Sequence, residues 1–101
     1  MTFSVITEAE AEADWNRAVD WYEQCEPGLG LRFNDEIQAL LQTLSRQPER
    51  FPLAGRLTQK ARMIGWPYSI YFTVNTEHRE VKVLAIWHGR RNPVELRRRV
   101  K

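Results

Sequence analysis

The chain has 101 residues, 43% of them hydrophobic and 28% charged, the size and composition of one globular domain spanning residues 1–101. It has no apolar run near the ~20 residues of a membrane span and no secretory signal core, which predicts a cytoplasmic protein, and its single cysteine excludes an internal disulfide or a multi-cysteine zinc site. The net charge of +2 hides a division: residues 1–50 carry four arginines against ten acidic residues, and residues 51–101 carry eleven basic residues against three acidic ones, so an acidic face and a basic face are expected, the latter attracting an acidic protein or nucleic acid.

Phe3, Ser4, Val5 and Ile6 read as an opening strand. Thr7 with Glu10 has the spacing of a capping box, so a helix is expected from about Glu8 to Cys25, with Ala11, Trp15, Ala18, Val19 and Tyr22 on its apolar stripe. Glu10, Asp14, Arg17 and Asp20 fall mostly outside that stripe, and Cys25 is expected to be a passive, partly buried thiol. Pro27, Gly28 and Gly30 interrupt the helix as a turn. A second helix follows, with Leu29, Phe33, Ile37, Leu40, Leu41 and Leu44 on one side and Pro48 and Pro52 marking its end. Two amphipathic helices joined by a short turn make an antiparallel hairpin.

The period then changes. Lys60–Ile64 is a short strand candidate, and Tyr68–Asn75 alternates Tyr68, Ile70, Phe72 and Val74 against Ser69, Tyr71 and Thr73. Glu80–Trp87 is apolar on both faces over much of its length, as a central strand would be, and residues 76–79 form the hairpin loop before it. Gly89 reads as a turn residue in a conformation closed to other side chains. Asn92 as cap, Pro93 at the first helical position and the arginines beyond predict a short final helix. The order βααβββα describes an α+β fold: a small antiparallel or mixed sheet with the helical hairpin packed on it.

Most site chemistry is missing. His78 and His88 belong to no triad pattern, two histidines and one cysteine are a poor metal supply, and the glycines form no phosphate-cradling loop. No cofactor or metal is therefore expected. Metal-independent cleavage of RNA is the one enzyme class left, because arginines can stabilise a phosphate while His or Tyr moves protons. Its candidates are Arg62, His88, Arg90 and Arg91, with Tyr71 as an accessory. Read as a binding surface instead, His88, Arg90, Arg91, Arg97, Arg98 and Arg99 would grip a macromolecular target. Trp15 and Trp87 fit core positions, whereas Trp21 lies off the helical stripe and is expected to contact a partner or a second copy of the chain.

The residues Ala18–Glu23, Pro27–Phe33, Trp66–Phe72 and Val83–Pro93, followed by an arginine-rich tail, together resemble the ParE/RelE superfamily of type II toxin–antitoxin toxins, with the ParE-like branch, which includes plasmid stabilisation proteins, the nearer match. The resemblance spans nearly the whole chain. It implies the fold just described and a growth-arresting toxin neutralised in the cytoplasm by a cognate antitoxin, assembled as a homo-oligomer or a toxin–antitoxin hetero-oligomer. Likeness to ParE implies inhibition of DNA gyrase by binding, and likeness to RelE implies a ribosome-dependent mRNA endoribonuclease. RelE-like ribonucleases usually place a tyrosine in the terminal helix where this chain has Leu96 or Arg97, which favours the gyrase reading. A non-toxic binding module is the remaining alternative.

Overall fold

The computed structural model describes residues 2–101. Its elements are β1 (Ser4–Thr7), α1 (Ala9–Cys25), α2 (Leu29–Arg46), a 3₁₀ turn (Pro48–Arg50), β2 (Thr58–Arg62), β3 (Tyr68–Asn75), β4 (Glu80–His88) and α3 (Pro93–Arg99), the βααβββα order expected from the sequence. The sheet runs β1-β4-β3-β2 and is mixed, with β1 parallel to β4 and the other pairs antiparallel. No helix is long and apolar enough to cross a membrane among the described residues.

The α1–α2 hairpin lies on one face of the sheet. Ala11 and Ala18 of α1 and Phe33, Ile37 and Leu44 of α2 meet Ala61, Ile70, Phe72, Val81, Val83 and Ile86 in a core with almost no solvent exposure. Tyr22, Phe33, Trp66 and Tyr68 close one end of this core with ring centroids 4.8–5.1 Å apart in the three edge-on pairs that involve Trp66 or join Phe33 to Tyr68.

Two details of the sequence explain how the layers come this close. Gly28, in the left-handed region at φ 88°, turns the chain between the helices. Gly30 then brings α2 against α1: a Cβ there would lie 2.6 Å from the carbonyl oxygen of Val19. The Glu23 carboxylate of α1 accepts the amides of Gly28 and Gly30 at 3.0 Å, so α1 caps the start of α2, which has no acidic residue in its own first turn.

β4 carries the other detail. Its register with β3 slips between Tyr71 and Phe72, which pair with Ala85 and Val83 and leave Leu84 as an extra residue. The bulge turns Val83 and Ile86, three residues apart, to the same core face. Trp87, next to Ile86, therefore points to the opposite face, where α3 and the carboxy-terminal residues cross the sheet toward β2. There Lys101 donates to Oγ1 of Thr58 at 2.7 Å and accepts from the amide of Leu57 at 2.7 Å.

Four expectations change. The Thr7–Glu10 capping box does not form: Thr7 ends β1, Glu8 is the cap residue and no side chain caps α1. Asp14 is buried within α1, not outside its stripe. Cys25, the last residue of α1, is exposed. Gly89 does not adopt a positive φ; its amide simply donates to the carbonyl of Pro67 at 2.8 Å. The cap of α3 does form, with the Val94 amide donating to Oδ1 of Asn92 at 2.9 Å.

Replacing Gly30 by alanine is expected to push the helices apart and cost about 1–3 kcal/mol, read as a lowered urea midpoint. An unchanged midpoint would mean the hairpin has room that the 2.6 Å approach denies.

Candidate functional site: the Asp14 cluster and the α1–β4 cleft

β1 stops at Thr7 opposite Val83, while β4 continues to His88. The second half of β4 thus has no strand on its outer side, and its peptide groups need other partners. Asp14 supplies one: its Oδ2 accepts the Ile86 amide at 3.1 Å. Arg99 supplies the other, donating through Nη1 to the carbonyl of Leu84 at 3.2 Å and to Oδ2 of Asp14 at 2.7 Å. Carboxylate and guanidinium together take the place of the missing strand.

The cluster extends outward from that pair. Oδ1 of Asp14 also accepts from Arg17 at 2.8 Å, Arg91 at 2.9 Å and Nη2 of Arg99 at 3.3 Å. Five donors on two oxygens saturate the carboxylate, whose side chain is 1% exposed. The guanidinium of Arg91 lies 3.8 Å and that of Arg99 5.0 Å from the ring centroid of Trp87, so cations cover the indole that the sheet leaves bare. Nε of Arg99 is buried without a hydrogen bond, 3.6 Å from the Glu10 carboxylate. Glu10 in turn accepts from Arg98 at 3.0 Å, and this bond, with the charge of Arg99, holds its carboxyl below the ordinary range.

Beside this cluster, α1 and the end of β4 flank an open cleft of about 440 Å³, with Arg17, Trp21, Tyr68, His88 and Arg91 in its lining. His88 stands edge-on to Tyr68, centroids 5.1 Å apart, and its Nδ1 accepts the Arg90 amide at 3.0 Å. That bond fixes the proton on Nε2 and leaves it as a donor. Burial raises the Tyr68 hydroxyl above its usual range.

The sequence-based candidates separate here. Arg99 is not a free target contact, because it is 8% exposed and committed to Asp14. Arg91 is half-buried in the same cluster and Arg98 is paired with Glu10. Arg90 and Arg97 are exposed and make no ion pair among the described residues. Arg62 is exposed on β2, registered to Ser69, which is registered to Trp87; two strand spacings, about 10 Å, separate it from β4. Tyr71 is half-buried on β3, with the Lys60 ammonium 5.7 Å from its ring centroid. Trp21, at 61% exposure, is as open as expected. No cluster of three or more His, Cys, Asp or Glu that could hold a metal occurs among the described residues.

Asp14, Arg17 and Tyr68 were not among the candidates. The signal for Asp14 was present: it lies three residues after Ala11 and four before Ala18, on the buried stripe. Its partners, 77 and 85 residues away, leave no local trace.

Comparison with known proteins places this geometry. Residues 5–93 match the family model for the ParE toxin of the type II toxin–antitoxin system, parDE. Toxin RelE1 of Caulobacter vibrioides is 27% identical over 89 residues, covering 88% of this chain and 96% of that relative. Among solved structures, a chain of the chromosomal ParDE system from P. aeruginosa superposes with a TM-score of 0.74 at 21% identity, over 85% of this chain and 95% of that one. A chain of the RelBE2 toxin–antitoxin complex of Mycobacterium tuberculosis follows at 0.63 and 22%, over 87% and 99%. Both structures share the fold.

Asp14→Asn, which leaves the buried Arg99 with only the exposed Glu10 carboxylate, 3.6 Å from its Nε, as counter-charge, is expected to cost about 3–5 kcal/mol, measured by urea denaturation; a loss under about 1 kcal/mol would remove the cluster from its structural role. The lowered carboxyl of Glu10 makes a contribution present above the ordinary value of 4.5 and lost as pH falls through and below it. Glu10→Gln should accordingly flatten the acid limb of the stability–pH curve, and an unaltered limb would contradict the Arg98 pairing.

Proposed function

This chain belongs to the ParE toxin family of type II toxin–antitoxin systems, and from that membership we propose that it arrests growth by binding and inhibiting DNA gyrase and is neutralised by a cognate antitoxin. The observation that carries the choice is the dispersal of the residues an RNA-cutting site would need. Arg62 sits on the far edge strand, Arg91 is half-buried and fixed through Nη1 to Asp14, facing α1 across the cleft, and Nδ1 of His88 is engaged by the turn that follows it. The tyrosine packed against His88 is Tyr68 of β3, not a residue of the terminal helix, and burial raises its hydroxyl above its usual range. The terminal helix offers Leu96 and Arg97 instead of a tyrosine.

What remains is a surface for gripping. Arg90 at the β4–α3 turn and Arg97 on α3 present exposed guanidinium forks with no ion pair among the described residues, suited to carboxylate or phosphate on a macromolecule. An antitoxin partner is supported by the two structural neighbours, a ParDE system and a RelBE2 toxin–antitoxin complex. It is also supported by size, since a domain of this length buries only about 60–65% of its unfolded surface and gains stability from whatever covers it.

Expression of the chain should stop growth, and co-expression of the adjacent open reading frame should restore it. The purified chain should block supercoiling by gyrase and leave mRNA on ribosomes intact; cleaved mRNA with active gyrase would replace this reading with the ribonuclease one. Arg90→Ala combined with Arg97→Ala should abolish arrest with an unchanged melting temperature, and undiminished killing would move the gripping surface elsewhere.

A further inference from the structure

The cleft beside the Asp14 cluster has a chemistry apart from the exposed grip of Arg90 and Arg97. One stripe of α1, formed by Asp14, Arg17, Ala18, Trp21 and Gln24, makes one wall, about 15 Å long. Tyr68, Ile86, His88 and Arg91 face it. Asp14 is saturated by its five donors, so the remaining N–H groups of Arg17 and Arg91 have no claim on it; among the described residues, the other acid within 4 Å of Arg91 is the exposed Glu95, 3.8 Å away. Nε2 of His88 is a further spare donor. Next to these donors Trp21 presents an indole that is 61% exposed, with Ala18 and Ile86 beneath. Donors at one end and an apolar shelf at the other define an amphipathic seat.

We propose that this α1–β4 cleft receives an acidic, partly apolar segment of the antitoxin, with a carboxylate held by Arg17 and Arg91 and an adjacent apolar side chain lodged on Trp21. The assignment rests on the toxin–antitoxin reading above. A protein segment fits better than a nucleic acid, because Asp20 lines the same cleft and α1 also carries Glu10, Glu12 and Glu23, charges that repel a continuous phosphate chain but tolerate one carboxylate placed between two guanidiniums. Trp21 and arginine are also the residue types that anchor protein interfaces.

The test titrates the full chain with the protein encoded by the adjacent open reading frame, comparing wild type with Arg17→Ala, Trp21→Ala and, as a control, Arg46→Ala at the exposed end of α2. Arg17 and Trp21 are exposed, so both variants should fold, which thermal melting checks. Each should bind at least about tenfold more weakly, with the control unchanged and the salt dependence of binding reduced in Arg17→Ala. Variants that bind like wild type overturn the cleft assignment while leaving the toxin–antitoxin reading intact. If wild type itself does not bind, that reading fails, and the cleft is judged with a short alternating glutamate–leucine peptide: wild-type binding lost in Trp21→Ala supports the seat, and no binding overturns it. A thymidine oligonucleotide whose binding depends on both Arg17 and Trp21 would reassign the cleft to nucleic acid.

Discussion

The free half of β4 needs something to stand where β1 gives out, and the ion pair between Asp14 and Arg99 meets that need. Carboxylate and guanidinium close the peptide groups of Ile86 and Leu84 and pin α1 to α3 around the sheet edge. A buried ion pair is weak evidence of stability in itself, because desolvation offsets much of its attraction. Its value here lies in satisfying backbone groups that would otherwise be orphaned in the interior. The same pair sets where α3 lies, because a seven-residue helix has little surface of its own with which to hold a position.

That constraint divides the basic tail into two kinds of arginine. Arg91 and Arg99 are drawn inward, covering Trp87 and surrounding Asp14. Arg90 and Arg97, outside the cluster, keep their donors in solvent. Adjacent residues of identical chemistry thus play opposite parts, one holding the fold and the next facing outward. The cleft beside the cluster follows from the same cause, since Asp14 gathers guanidinium groups whose N–H donors outnumber what its two oxygens accept.

The helical hairpin is built on close approach rather than bulk. Gly30 lets the helices touch, Glu23 caps the second helix from the first, and Trp15 reaches across to Oδ1 of Asn34 at 2.8 Å. The bulge at Leu84 performs a comparable service in the sheet, bringing Val83 and Ile86 together under the hairpin while freeing Trp87 for the other side. A small domain with a thin margin depends on such local adjustments, because it has little additional apolar area to compensate for a poor fit.

Element order was legible in the sequence because each helix and strand carries its own short-range period: Phe33, Ile37 and Leu44 mark one face of α2, and Ile70 and Phe72 one face of β3. The Asn92 cap and the Gly28 turn were equally local. The continuous apolarity of Glu80–Trp87 marked a central strand, but the bulge that distributes those residues between two faces depends on pairing with β3. Length and charge pattern also placed a basic surface in the second half. Which arginines form that surface was decided only by tertiary structure, because the groups that claim Arg91, Arg98 and Arg99 are Asp14 and Glu10, some eighty residues earlier in the chain. A charge has no preferred partner until folding sets the distances and removes the water between them.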